Sequence, residues 1–85
     1  MRTRASPIDQ LMTRCTTSLD QARAAHPYMV WTDTPVAEVL GEMLTRRIGS
    51  ALVVDQRSLE RGRVVGIFTA ADAVRTLEEI TRGEN

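Results

Sequence analysis

The sequence predicts a single α+β domain with the element order β-α-β-β-α, preceded by an extra N-terminal helical segment. Two runs, residues 51–54 and 64–68, are almost entirely apolar and rich in β-branched side chains, which is typical of buried strands. After residue 70 the apolar spacing changes from two to nearly four, which indicates a helix running to about residue 82. Residues 36–44 carry apolar side chains at i, i+3, i+4, i+7 and i+8, the pattern of an amphipathic helix.

The connections between these elements complete the predicted order. Residues 28–31 favour a short strand, and Thr34 with Pro35 predicts the start of the helix that follows, with Gly49 at its end. Because residues 51–54 are continuously apolar, both faces of this strand should be covered. The polar turn at residues 55–62 allows the last two strands to pair antiparallel.

Residues 8–22 carry a narrow apolar stripe at spacings of three and four. Hydroxyl side chains at residues 16–18 weaken a continuous helix, because they compete for backbone hydrogen bonds. One bent helix, or a break with Ser18 capping a second short helix, are both compatible with the pattern. We expect an arm and helical segment at 1–27, the main motif at 28–82 and a tail at 83–85. A stripe without a partner in so small a domain is expected to pack across an interface, away from any ligand site.

Composition narrows the functional classes. The chain has 85 residues, so its core is expected to be marginal and a homodimer is expected to supply the rest. Eleven acidic residues balance eleven basic ones, so net charge favours neither a nucleic-acid partner nor an acidic one. The single cysteine excludes an intrachain disulfide and favours a cytoplasmic location, and no apolar run is long enough for a membrane span.

Residues 66–72 read Gly-Ile-Phe-Thr-Ala-Ala-Asp and resemble the glycine–apolar–apolar–Thr/Ser–x–x–Asp/Asn signature of the cystathionine-β-synthase (CBS) domain family. Residues 32–40 resemble the family's first helix and its start, and residues 47–55 resemble its second strand and the approach to it. The resemblance covers residues 28–79. It implies a regulatory module without enzymatic activity, in which two CBS motifs pair and bind an adenosine-containing ligand.

The resemblance also implies a ligand site. In the family the position of Asp72 usually holds ribose hydroxyls and that of Thr69 lies near ribose or phosphate. The adenine is expected against the first two strands, and the signature glycine completes the set. The implied ligand-binding residues are therefore Thr69, Asp72, Ala51, Ser50, Val30, Met29 and Gly66. A helix cap for Thr69 and Asp72, and plain core packing for the strand residues, remain open alternatives.

One departure from the family bears on ligand charge. Many members carry a basic residue between the Thr and the Asp, where this chain has Ala70 and Ala71. Adenosine, AMP or S-adenosylmethionine is therefore expected rather than a multiply phosphorylated ligand, although Arg47 or Arg75 could reach a phosphate. Trp31 could stack on a base, but core or interface packing is the commoner use of such a residue.

Other classes remain to be weighed. The chain could be a structural dimerisation module with an empty cleft, or a regulatory fragment of a larger enzyme. Cys15 and His26 lack an accompanying oxyanion or orienting motif, which argues against a thiol protease. No cluster of His and Cys has the spacing of a metal site, so no metal is expected.

Overall fold

The computed structural model describes residues 5–83, and this part of the chain contains four strands and four α-helices. They are β1 (Thr13–Arg14), α1 (Leu19–Ala25), β2 (Met29–Trp31), α2 (Val36–Arg46), β3 (Ser50–Val54), α3 (Gln56–Glu60), β4 (Gly66–Thr69) and α4 (Ala70–Gly83). A single turn of 3₁₀ helix, Ile8–Gln10, precedes β1. Residues 1–4 of the predicted arm and residues 84–85 of the predicted tail lie outside the described residues. The mixed α+β architecture is the one that the sequence predicts.

The strands form one sheet in the order β1-β4-β3-β2. The antiparallel pairing of β3 with β4 is confirmed, with Leu52 opposite Ile67. β2 lies parallel to β3 and forms one edge, as a helical connection between the two strands requires. β1 forms the other edge, antiparallel to β4. This edge strand was not predicted, because Thr13 and Arg14 are two polar residues without a strand pattern.

Side chains alternate across β3 and divide the core between the two faces of the sheet. Ala51 and Val53 face one cluster that includes residues of α2, Phe68 and Ile8. Leu52 and Val54 face a second cluster that includes Ala22 of α1, with Leu59 of α3 packed against it. All four β3 residues from 51 to 54 are at most 2% exposed. Both faces of this strand are covered, as predicted, and the cover comes from the same chain.

The N-terminal segment follows the second of the two open alternatives in its break and its Ser18-capped helix, but a 3₁₀ turn and strand β1 stand where that alternative has a first helix. A stretch without regular secondary structure follows β1, and the Ser18 hydroxyl then caps α1 by accepting a hydrogen bond from the Gln21 amide at 3.3 Å. The apolar stripe packs within the chain: Ile8 is fully buried in one core cluster and Ala22 is buried in the other. The expectation that this stripe packs across an interface is therefore wrong. The domain boundary at residues 27 and 28 stays a prediction, although Ile8 shares the core of the residues beyond it.

Both ends of α2 differ from the prediction. Pro35 occupies the N-cap position, and the Thr34 hydroxyl accepts from the Trp31 amide at 3.1 Å instead of capping the helix. At the other end Arg47 adopts the left-handed conformation, with φ of 56°, that was expected for Gly49. The Ile48 amide then bonds to the Met43 carbonyl, and the Ile48 side chain packs on the core. The need to bury Ile48 therefore accounts for the earlier turn.

The predicted polar turn contains the short helix α3. Asp55 and Ser58 form a reciprocal capping box at its start, with the Ser58 amide 2.7 Å from the Asp55 carboxylate. Within residues 5–83, no helix combines the length and the apolar character that crossing a bilayer would require.

Candidate functional site

The corner at which β4 runs into α4 contains the residues that carry the signature. Thr69 ends the strand and Asp72 lies in the first turn of the helix. The Thr69 amide donates to Asp72 Oδ2 at 3.0 Å, and the Asp72 amide donates to the Thr69 hydroxyl at 3.4 Å. This reciprocal pair forms a capping box, so the helix-cap interpretation of the two residues is confirmed.

Asp72 also takes part in a larger hydrogen-bond network. Its side chain is 1% exposed. The Thr69 hydroxyl donates to Oδ2 at 3.1 Å, and the Thr13 hydroxyl lies 3.2 Å from Oδ1 and 3.3 Å from Oδ2. The Arg75 guanidinium contacts Oδ1. Both carboxylate oxygens therefore already have donors from the chain itself, which is how a buried charge is made tolerable.

Gly66 brings Thr13 to this corner. A Cβ atom at position 66 would lie 2.6 Å from both the Met12 sulfur and the Thr13 carbonyl oxygen. Only a residue without a side chain permits this approach of β1 to β4. The structure thus gives the signature glycine a packing role at the β1 edge.

A polar cavity of about 250 Å³ opens beside Asp72. Its lining comes from the N-terminal segment and from one side of α4: Gln10, Leu11, Met12, Thr13, Asp72, Arg75, Thr76 and Glu79. Arg75 is 66% exposed, whereas Thr76 is buried and donates its hydroxyl to the Asp72 carbonyl at 2.8 Å. The expectation that residues 8–26 stay away from the candidate ligand site is therefore wrong, because part of this segment forms its wall.

The other residues that the resemblance implies do not share this cavity. Met29 and Val30 line a separate groove of about 440 Å³ between β2 and α2. Val30 and Ala51 are core residues, whereas Met29 is 36% and Trp31 50% exposed. Trp31 is thus not a core residue.

Ser50 lies closer to the corner than the β2 residues do. It faces Thr69 across the β3–β4 pair, and its hydroxyl lies 2.5 Å from Nδ1 of His26. The structure therefore brings Thr69, Asp72 and Ser50 into one neighbourhood and leaves Met29 and Val30 at the far edge of the sheet.

The groove between α2 and α4 was not singled out from the sequence. It has a volume of about 270 Å³ and is apolar, being lined by Leu40, Met43, Leu44, Ile48, Ala70, Ala73, Val74 and Leu77. Three of these side chains are strongly exposed: Leu44 at 80%, Val74 at 60% and Leu77 at 52%. The sequence contained a signal for this groove, because all three residues belong to the apolar faces predicted for their helices.

The remaining titratable groups offer little chemistry. Cys15 and His26 line a cavity of about 200 Å³, with Nδ1 of His26 engaged by Ser50. Burial raises the pKa of Tyr28 above its usual value; Glu42 and Glu38 add to the rise and Arg46, stacked 5.0 Å from the ring centre, opposes it. Among the described residues, no group of three His, Cys, Asp or Glu side chains is arranged to hold a metal ion.

Comparison with known proteins identifies the family and agrees with the fold. A model of the CBS domain family matches residues 9–79. An uncharacterised conserved protein from Pyrococcus horikoshii has a similar structure (TM-score 0.57, 18% identity), with the match covering 85% of this chain and 92% of that one. The CBS domain of a bacterial CNNM/CorC family Mg²⁺ transporter is also similar (TM-score 0.62, 14% identity, 88% and 76% covered). None of the curated proteins searched gives a significant match. The family match spans most of the chain, and the chain therefore belongs to the CBS domain family.

Proposed function

We propose that the chain is a regulatory, non-catalytic module that acts by pairing with a second copy of itself through the groove between α2 and α4. The observation that carries this proposal is the exposure of Leu44, Val74 and Leu77 together in one apolar groove. Large apolar side chains that are grouped on a surface favour association, whereas scattered ones need no explanation.

One face of the sheet is already covered, whereas the α2–α4 groove is open; Met29 and Trp31, the other exposed large apolar side chains in the described part of the chain, lie apart at the β2 edge. The sheet surface that carries Leu52, Val54 and Val64 is covered by α1 and α3, so these three side chains are not accessible to a partner. The α2–α4 groove, by contrast, has no covering element among residues 5–83. A second copy that approaches this groove about a two-fold axis would bury the same residues on both chains.

Charge does not oppose such pairing. The chain has eleven acidic and eleven basic residues, so two copies carry no net repulsion. Burial of apolar surface contributes about 25 cal/mol per Å², and each buried groove residue would contribute twice in a symmetric dimer. Pairing of this kind suits a module whose output depends on the arrangement of two copies.

The test is light scattering on the wild type and on Leu44→Glu/Leu77→Glu. The wild type should give twice the 9.5 kDa mass of the chain at micromolar concentration, and the double variant should give a monomer. Ala24→Glu, an exposed position on α1, adds a charge away from the groove and should leave the dimer intact. A monomeric wild type, or a double variant that remains dimeric, would overturn the proposal.

A second function, sensing of an adenosine-type ligand at the Asp72 corner, is favoured by a different observation. Thr69 and Asp72 of the signature lie together, and a polar cavity opens beside Asp72. A carboxylate can accept hydrogen bonds from two vicinal hydroxyls, as a ribose provides. The cavity holds the carboxylates of Asp72 and Glu79 against the single guanidinium of Arg75, which favours adenosine or S-adenosylmethionine, with AMP next.

Thermal denaturation with a panel of adenosine, AMP and S-adenosylmethionine tests this function. A ligand that binds the folded chain raises its melting temperature by mass action. The matched control is 2′-deoxyadenosine, which lacks one of the vicinal hydroxyls and should stabilise the chain less. No shift with any of these three ligands would leave pairing as the function and remove ligand sensing.

The proposed location is the cytoplasm. Cys15 is the only cysteine in the chain, so no internal disulfide can form, and a reducing compartment suits such a protein. Fractionation of cells that express the tagged chain would test the location, and recovery in a secreted or extracytoplasmic fraction would contradict it.

A further inference from the structure

We propose that Thr13 is a displaceable occupant of the Asp72 site and that the β1 segment (residues 10–14) closes this site until a ligand hydroxyl takes the place of Thr13. This inference rests on the proposed sensing of a ribose-containing ligand and adds a device that links the ligand to a movement of the chain.

The side chains that donate to Asp72 differ in how they are held beside it. Thr69 belongs to the same corner, and Arg75 lies one turn further along α4, so both remain near Asp72 whenever α4 is folded. Thr13 is different, because it is 59 residues away in sequence and reaches Asp72 only while β1 is paired with β4. Its hydroxyl lies within 3.3 Å of both carboxylate oxygens, as one hydroxyl of a bound ribose would.

The length and position of β1 make it easy to displace. The strand has two residues, both exposed, at the edge of the sheet. Beside it, the Cys15 amide bonds to the Val65 carbonyl at 3.2 Å. Short edge elements with few buried apolar contacts are the parts of a fold that open at the lowest free energy.

Residues on either side of the β1 segment anchor it to the rest of the fold. Ile8 is fully buried and its amide bonds to the Thr34 carbonyl at 2.8 Å. The Leu19 amide bonds to the Gly62 carbonyl at 2.7 Å at the start of α1. Because both ends are fixed, the residues between them can move away from β4 while the buried members of both core clusters stay in place, with Leu11 and Met12 giving up part of their packing against one cluster.

A ligand would enter the space between the β1 segment and α4. The polar cavity of about 250 Å³ already has the β1 segment as one wall and Asp72 as part of the other. Movement of this wall enlarges the cavity and frees the acceptor positions that Thr13 occupies. Ligand binding would thus release an N-terminal segment, which gives the module a signal that a second protein can detect.

The test combines a substitution with hydrogen exchange on the full chain, with adenosine as the probe. Thr13→Val removes the competing hydroxyl while keeping a similar shape, and it should tighten adenosine binding about tenfold, measured by calorimetry. Thr17→Val is the matched control, because Thr17 is an exposed threonine that lies just beyond the β1 segment and outside this cavity. It should bind adenosine as the wild type does.

Hydrogen exchange gives a readout that does not depend on the variant. Without ligand, the Cys15 amide should exchange at least tenfold faster than the Leu52 amide of the central strand, which bonds to the Tyr28 carbonyl at 2.8 Å. Saturating adenosine should speed exchange at Cys15 and slow it at Leu52, because the ligand opens the β1 segment while it stabilises the fold.

The outcomes separate this inference from the function on which it rests. Adenosine binding that Thr13→Val leaves unchanged or weakens would overturn the inference and leave ligand sensing in place. Slower exchange at both amides on adding adenosine would do the same. If neither the wild type nor Thr13→Val binds adenosine, AMP or S-adenosylmethionine, ligand sensing and this inference are both overturned. The proposed pairing through the α2–α4 groove would be unaffected.

Discussion

Helix α4 has two sides that differ in how completely the chain satisfies them. On one side Asp72 is buried, and both of its oxygens accept hydrogen bonds from Thr13, Thr69 or Arg75. On the other side Val74 and Leu77 are more than half exposed in an apolar groove. A buried carboxylate with a full set of donors has no need of a partner, whereas grouped exposed apolar side chains gain free energy from one. The difference teaches that the chain itself supplies the donors of the polar corner, whereas it leaves the apolar side chains of the groove exposed.

Asp72→Ala should have the largest effect on stability of the changes that test this comparison. The change removes the cap of α4 and the charged acceptor of several partly buried hydrogen bonds, so it should lower the free energy of unfolding by about 2–4 kcal/mol. Asp72→Asn still caps well and should cost roughly half as much. Urea denaturation measures both. A loss below about 1 kcal/mol for the alanine variant would show that the network contributes little.

Gly66→Ala tests the same corner from the β1 side without touching the groove. A Cβ atom would lie 2.6 Å from the Thr13 carbonyl, so β1 must shift, at a cost of about 1–3 kcal/mol. Gly41→Ala makes the same change in α2 where nothing lies within 4 Å of the new atom, and it should stabilise the chain by about 0.5–1 kcal/mol. Chemical denaturation of the two variants should therefore give opposite signs, and equal signs would contradict the role assigned to Gly66.

A groove substitution should affect assembly and leave the single chain almost as stable as before. Leu44 is 80% exposed, so Leu44→Gln should change the unfolding free energy of the monomer by no more than about 0.5 kcal/mol. The comparison requires a dilution at which light scattering shows single chains for both proteins. A larger loss would mean that Leu44 supports the fold itself, and the contrast between the two sides of α4 would weaken.

The smallest expected effect lies outside both regions, at Tyr28. Burial and the carboxylates of Glu42 and Glu38 raise the pKa of Tyr28 in the folded chain, so the folded state holds this proton more firmly than the unfolded one. Its contribution to stability is present below the ordinary tyrosine pKa of about 10 and falls as pH rises through the folded value. Tyr28→Phe should reduce this decline in denaturation experiments at alkaline pH. Identical pH profiles for the two proteins would contradict the raised pKa.

The sequence predicted the parts of the fold that depend on local pattern. Residues 51–54 form a strand covered on both faces, and Thr69 with Asp72 caps the last helix. Both results follow from side-chain types at fixed spacing. Strand β1 could not be predicted in this way, because Thr13 and Arg14 pair with β4 only through the approach that Gly66 allows. The C-terminal end of α2 was misplaced for a similar reason, since the packing of Ile48 on the core fixes the turn at Arg47.

The candidate site was predictable in its centre and not in its surroundings. The signature located Thr69 and Asp72 correctly at one corner, because the residues of a capping box are neighbours in sequence. The partners Thr13 and Arg75 complete the network, and the first of these is fixed by sheet topology. Whether Met29 and Val30 contact a ligand stays a prediction, and their groove lies beside β2 rather than beside Asp72.

The turn after β2 bears on how this chain avoids aggregation. At this edge of the sheet the Trp31 amide donates to the Thr34 hydroxyl at 3.1 Å, and the Thr34 amide donates to the Trp31 carbonyl at 3.0 Å. Both backbone groups of Trp31 are thus unavailable to a foreign strand, although its exposed indole would otherwise attract one. Edge strands that offer few free backbone groups are poor templates for fibril growth. Under the proposed pairing, two chains would contact each other through side chains of their helices, while Trp31 offers no backbone group for open-ended stacking of the sheet.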